Sequence, residues 1–152
     1  MGIGSIIKST IIPVLAMVIF GLITLTINTV ISVIPVLNLL GCITGPIGMF
    51  LGLVISVVAL VWAGKGAGGV GSGAVSGALA GFASSVIYGI AAFVLSLLGV
   101  GVTAATNSDA SVAAIAGLGA LGGLALSVLG TGFWTISGAV LGAIGGMMGG
   151  KK

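Results

Sequence analysis

The chain has no histidine, no arginine and no glutamate, and its one aspartate is Asp109. Four lysines, Lys8, Lys65, Lys151 and Lys152, complete a charged set that makes up 3% of 152 residues. A soluble surface needs about a quarter charged residues, so a soluble domain is excluded. Without histidine or a second carboxylate, no acid–base pair, metal-ligand cluster or Ser-His-Asp triad can be assembled. Serines within the apolar runs have no base to activate them. The net charge of +3 is too sparse for a nucleic-acid surface, which needs clustered Lys and Arg. A single cysteine, Cys42, rules out an intramolecular disulfide and reads as a small buried apolar residue. No enzyme activity and no cofactor are expected.

What is present is apolar residue and glycine. The hydrophobic share is 59%, 30 residues are glycine, and mean hydropathy is +1.48. Apolar runs of roughly 20 residues are transmembrane helices by default. The glycines are patterned. Through GVGSGAVSGALAGFASSVIYG, every fourth residue is small: Gly69, Gly73, Gly77, Gly81, Ser85 and Gly89. In water each interior glycine would cost a helix roughly 1 kcal/mol relative to alanine. A bilayer forces the backbone to pair with itself, so the segment is helical regardless. Positions four apart share a face, and the face becomes a groove that admits another helix's backbone, the small-xxx-small or GxxxG device.

Four spans are expected, near residues 10–34, 44–64, 70–98 and 117–147, in one all-α membrane-spanning four-helix bundle. Lys8 ahead of an apolar run imitates a signal peptide, but the run is too long and lacks a small-residue cleavage site. It is expected to stay as the first span. Pro13 is placed in its first turn, where a missing N–H does least harm, and Pro35 after its end. Inside it, Thr24 and Asn28 are one turn apart and read as hydrogen-bonding glue between helices. Residues 35–45 read as an apolar connection, with Gly45-Pro46 opening the second span. Trp62 beside Lys65 marks a membrane edge, and Gly64 to Gly69 reads as a loop. Val100 to Asp109 reads as a polar break, with Asn107 or Ser108 as an N-cap and Asp109 in the following turn.

The last stretch repeats the small-residue device. Gly138, Gly142, Gly146 and Gly150 form one ladder; Gly119, Gly123, Ser127, Thr131, Thr135, Ala139 and Ala143 form another. As one helix it would be about 60 Å long, twice a hydrocarbon core, so residues 110–150 read as a surface helix followed by one span, as one long tilted span bent near Gly122-Gly123 or Gly130, or as two short spans. Charge sets the number of spans. With four, Lys8, Lys65, Lys151 and Lys152 share one side, Asp109 takes the other, and both termini are cytoplasmic.

Gly64-x-Gly66-x-x-Gly69 matches a dinucleotide fingerprint in letters only, since it lacks a preceding strand and a following acidic residue. In outline the chain is similar to the rotor proteolipids of ATP synthases. Their ion site is a carboxylate within a span, which this sequence lacks. The segments VIPVLNLLGCITGPIG and WAGKGAGGVGSGAVSGALAGF, followed by a glycine-rich final span, resemble the small four-span membrane proteins of many archaea and some bacteria, mostly of unknown function. That resemblance implies the four-span fold and no catalytic or binding residue. The expected role is a structural or accessory membrane protein. Its expected partners are the lipid bilayer and either further copies of itself or a larger membrane complex, with no nucleic acid. The alternatives are a small pore-forming or holin-like protein and a carrier of a neutral solute, for which Thr24, Asn28, Ser127, Thr131 and Thr135 are the candidate lining.

Overall fold

Every apolar run becomes one uninterrupted helix. The computed structural model describes residues 3–33, 38–106 and 110–150 and contains α1 (Ile3–Val33), α2 (Asn38–Ala67), α3 (Val70–Thr106) and α4 (Ala110–Gly149). Among the described residues there is no strand. Each helix contains a stretch apolar and long enough to cross a bilayer: Ile6–Ile31, Ile43–Ala67, Val70–Leu98 and Gly117–Gly149. The outer surface is a coat of Ile, Leu, Val, Phe and Met, as in Ile11, Leu15, Ile19, Ile23 and Ile27 along α1. Only a hydrocarbon solvent tolerates that much exposed apolar surface. The chain is a multi-pass membrane protein built as a four-helix bundle.

The helices begin earlier and run longer than the sequence suggests. α1 starts at Ile3, so Pro13 sits inside the helix instead of in its first turn. α2 starts at Asn38, so Pro46 also lies within a helix and residues 38–45 are not a connection. Each proline removes one i→i−4 bond, a loss that hydrocarbon surroundings and local side-chain hydroxyls let a spanning helix absorb. The expected loop from Gly64 shrinks to Gly68 and Gly69, the only non-helical residues between α2 and α3. Gly68 has φ of 72°, a left-handed conformation that glycine adopts without strain. Its N–H donates to the Lys65 carbonyl at 3.3 Å, and Ser72 Oγ donates to the Ala67 carbonyl at 3.0 Å. These bonds occupy carbonyls that the end of α2 would otherwise leave unpaired. The polar residues after Val100 do not break α3, which continues to Thr106. α4 is one helix of 40 residues. Asn107, Ser108, Asp109, Lys151 and Lys152 lie outside the described residues, as do Pro35 and the side chain of Cys42.

Neighbouring helices alternate in direction. Thr24 of α1 faces Gly48 of α2 while Ser9 faces Gly66, so these two run antiparallel. Gly73 faces Gly146 and Gly81 faces Trp134, so α3 and α4 also run antiparallel. α3 and α4 make the most intimate contact in the bundle, and among the described residues α1 and α4 do not come together. Lys8, Lys65 and the end of α4 therefore lie at one end of the bundle, called the lysine end below.

Candidate functional site: a sealed half and an open half

The two halves of the bundle are packed in different ways. At the lysine end, backbone meets backbone. A methyl group on Gly77 would overlap the Gly138 carbonyl oxygen and stand 2.8 Å from Gly142 Cα. One on Gly73 would overlap the Gly142 carbonyl oxygen and stand 2.9 Å from Gly146 Cα, and one on Gly81 would overlap the Trp134 carbonyl oxygen. From the other side, Gly138, Gly142 and Gly146 meet the carbonyls of Gly77, Gly73 and Gly69. The hydrogens that replace Cβ point at carbonyl oxygens, the arrangement of interhelical Cα–H···O contacts. Gly73, Gly77, Gly81, Gly138, Gly142 and Gly146 are thus brought together.

A second glycine contact, absent from the ladders read in the sequence, joins α2 to α4. A methyl on Gly145 would overlap the Val61 carbonyl oxygen, one on Gly149 the Lys65 carbonyl oxygen, and one on Gly64 the Gly142 carbonyl oxygen. The Gly142 carbonyl is therefore enclosed by Gly64 of α2 and Gly73 of α3. Gly145-x-x-x-Gly149 is itself a small-xxx-small spacing, and it was legible beside the Gly146 ladder.

α1 is joined by polar side chains. Ser76, fully buried in α3, donates to the Ala63 carbonyl of α2 at 3.2 Å. Its Oγ also lies 3.0 Å from Ser9 Oγ and 2.9 Å from Thr10 Oγ1. Ser9 and Thr10 divide their hydroxyl hydrogens between Ser76 and the Ile6 carbonyl. Sequence reasoning passed over Ser76 because it falls one residue before a ladder glycine. Around this node Leu60, Ala63, Ala67 and Ala80 are buried, and the lysine-end half is sealed.

Beyond Gly81 the ladder changes character. Ser85 turns its hydroxyl onto its own helix, donating to the Phe82 carbonyl, and Gly89 meets only the Ser127 side chain, at 3.4 Å. Gly48 and Gly52 of α2 face only Thr24 and Phe20 of α1. In α4, a Cβ on Gly117, Gly119, Gly122, Gly123, Gly130 or Gly132 would meet nothing within 4 Å. The Gly119–Gly123 end of that small-residue ladder therefore meets no described residue, while Ser127 of the same ladder meets Gly89.

Between the diverging helices lies a cavity of about 590 Å³, with all four helices contributing to its wall. Along α1 it extends from Met17 to Asn28, about 16 Å at 1.5 Å per residue. Met49 of α2 and Leu126 of α4 both line it and are 80% and 70% exposed, which places its mouth at the separation between those two helices. Most of its hydroxyls are spent locally: Thr24 donates to the Phe20 carbonyl, Ser84 to that of Ala80 and Ser127 to that of Gly123. Asn28, expected to bridge helices, is exposed at the outer end of the cavity and bonds to no described residue. Asn28 faces the open end of the cavity, and α4 does not come within contact of α1 among the described residues. Thr131 and Thr135 likewise bond only to carbonyls of their own helix.

Among the described residues no group of His, Cys, Asp or Glu could hold a metal ion. No protein-family model, curated protein or solved structure matches the chain.

Proposed function

We propose that this chain is a structural or accessory membrane protein without catalytic chemistry, and that it packs laterally with further copies of itself or with other membrane subunits. The lysine end is its cytoplasmic side. One observation carries this reading: the lysine-end half of the bundle is closed by backbone-to-backbone contact through Gly73, Gly77, Gly142 and Gly145, with Ser76 fully buried among them. A path for ions or water through a single bundle would have to part those helices. Selectivity filters need carbonyls, charges or hydroxyls turned toward a lumen, whereas the hydroxyls of Thr131 and Thr135 are turned onto their own helix. The unoccupied glycines of α4, Gly119, Gly122 and Gly123, supply a surface on which a neighbouring helix would close. The positive-inside tendency supports the orientation, since Lys8 and Lys65 share one end.

Purified protein in dye-loaded liposomes tests the proposal. Vesicles that hold a small dye and a proton gradient as tightly as protein-free ones support it. Saturable release of either solute would reassign the chain to the pore-forming or carrier class.

A further inference from the structure

Besides Asn28 at its outer end, the cavity holds two hydroxyls that no described residue satisfies. Tyr88 lays its ring across Gly21, where a methyl group would stand 2.9 Å from Tyr88 Cδ2, and the side chain lines the cavity. Its hydroxyl bonds to no described residue, and neither does Ser56 Oγ, which lines the same cavity from α2. Both lie deep. Tyr88 is four residues from the centre of the Val70–Leu98 span, about 6 Å, and Ser56 is within one residue of the centre of Ile43–Ala67. Tyrosine at a membrane interface keeps its hydroxyl in the polar layer, whereas the backbone of Tyr88, with the span centred on a hydrocarbon half-layer of about 15 Å, stands about 9 Å below that layer. An unpaired hydroxyl there carries a desolvation cost that a ligand acceptor or donor would remove.

We infer that the cavity binds a neutral, membrane-soluble molecule with a flat apolar body and a carbonyl acceptor, of the lipid-quinone class, entering between α2 and α4. This goes beyond the structural role proposed above and does not depend on it. Neutrality follows from the wall, in which no described residue is charged. The flat body follows from Phe20, Tyr88 and Trp134 together with the thioethers of Met17 and Met49, surfaces that favour an unsaturated ring. A carbonyl matches the free donors of Tyr88 and Ser56. The volume lies within the range of small-molecule sites. Other occupants fit less well. A phospholipid keeps its polar atoms in the headgroup layer and brings only hydrocarbon to the depth of Tyr88. Water needs several polar partners per molecule, which this mostly apolar wall does not provide.

The test uses the full chain in nanodiscs with Trp62→Phe, so that fluorescence reports only Trp134 at the cavity wall. Titrating decylubiquinone should give saturable quenching above the linear partition background, and decylbenzene, which lacks the carbonyls, should not compete. Tyr88→Phe keeps the ring and should weaken binding about tenfold, the value of one good hydrogen bond. Gly130→Leu places bulk into the cavity from a position with nothing within 4 Å of its Cβ, so it should abolish the saturable phase with the melting temperature unchanged. Purely linear quenching in the parent protein would overturn the inference, as would Tyr88→Phe and Gly130→Leu curves that superimpose on it. If Gly130→Leu instead dissolves a dimer and leaves quenching untouched, the cavity belongs to a second copy and the inference fails.

Discussion

Gly77→Ala is expected to destabilise the bundle by about 2 kcal/mol, through a clash that no side chain can relieve. The new methyl would overlap the Gly138 carbonyl oxygen and stand 2.8 Å from Gly142 Cα and 3.0 Å from Gly138 C. Ordinary carbon contacts lie near 3.5–4.0 Å, so α3 and α4 must withdraw by about 1 Å. A gap of that size forfeits a quarter to a half of each dispersion well along the shared surface. Overpacking of this kind costs about 1–3 kcal/mol, and here the obstructing atoms are backbone, with no rotamer to move aside. With the cost therefore at its upper end, about 3 kcal/mol, and up to about 1 kcal/mol returned by replacing a helical glycine, the net is about 2. That is about a thirtyfold change in the folded-to-unfolded ratio. Gly122→Ala is the matched control, because its methyl meets nothing within 4 Å. It should leave stability unchanged or raise it slightly. Unfolding in mixed micelles of rising dodecyl sulfate content, followed by tryptophan fluorescence, reads both. Coincident curves for the two variants would refute backbone interlocking as the source of stability.

Other consequences follow from the same contacts. Gly145→Ala should destabilise to a similar extent as Gly77→Ala in the same assay, because its methyl would overlap the Val61 carbonyl oxygen of α2. Ser76→Ala should cost about 1–2 kcal/mol, at the upper end for polar side chains between membrane helices, since it removes contacts to Ser9, Thr10 and the Ala63 carbonyl together. Thr44→Val should be neutral or stabilising, because Thr44 Oγ1 is buried with no hydrogen-bond partner among the described residues and valine keeps the shape without the hydroxyl. A loss above 1 kcal/mol there would show that the hydroxyl is satisfied in the membrane.

The helices were readable from apolar length alone, and spacing marked Gly73, Gly77, Gly138, Gly142 and Gly146 as a close contact of α3 with α4, but not that Gly81 meets Trp134 in place of a ladder glycine. Spacing could not tell occupied ladders from empty ones. Gly119 and Gly123 repeat with the same period as Gly138 and Gly142, yet the first pair faces no described residue and the second faces backbone. That difference lies in which stretch of α4 meets the backbone of α3, a property of the packed pair and of neither helix alone. Pro13 and Pro46 pointed to helix starts, because proline punctuates soluble helices, whereas a spanning helix carries them inside. The cavity was invisible for a related reason. Tyr88, Ser56 and Trp134 lie on three different helices and share a wall only because those helices diverge. Thr24 and Asn28 drew notice as polar residues within a span, and both line that cavity. Their expected role as glue between helices is taken instead by Ser76, Ser9 and Thr10 at the other end.

Everything above requires four crossings with both hairpins opening toward the same face, and sidedness measures that directly. Lys8→Cys, Lys65→Cys and Gly150→Cys, each introduced singly with Cys42→Ser, can be treated in sealed vesicles of known orientation with a membrane-impermeant maleimide. All three positions should react from one side and remain protected from the other. Labelling of position 65 from the side opposite to position 8 or 150 would contradict the four-span bundle.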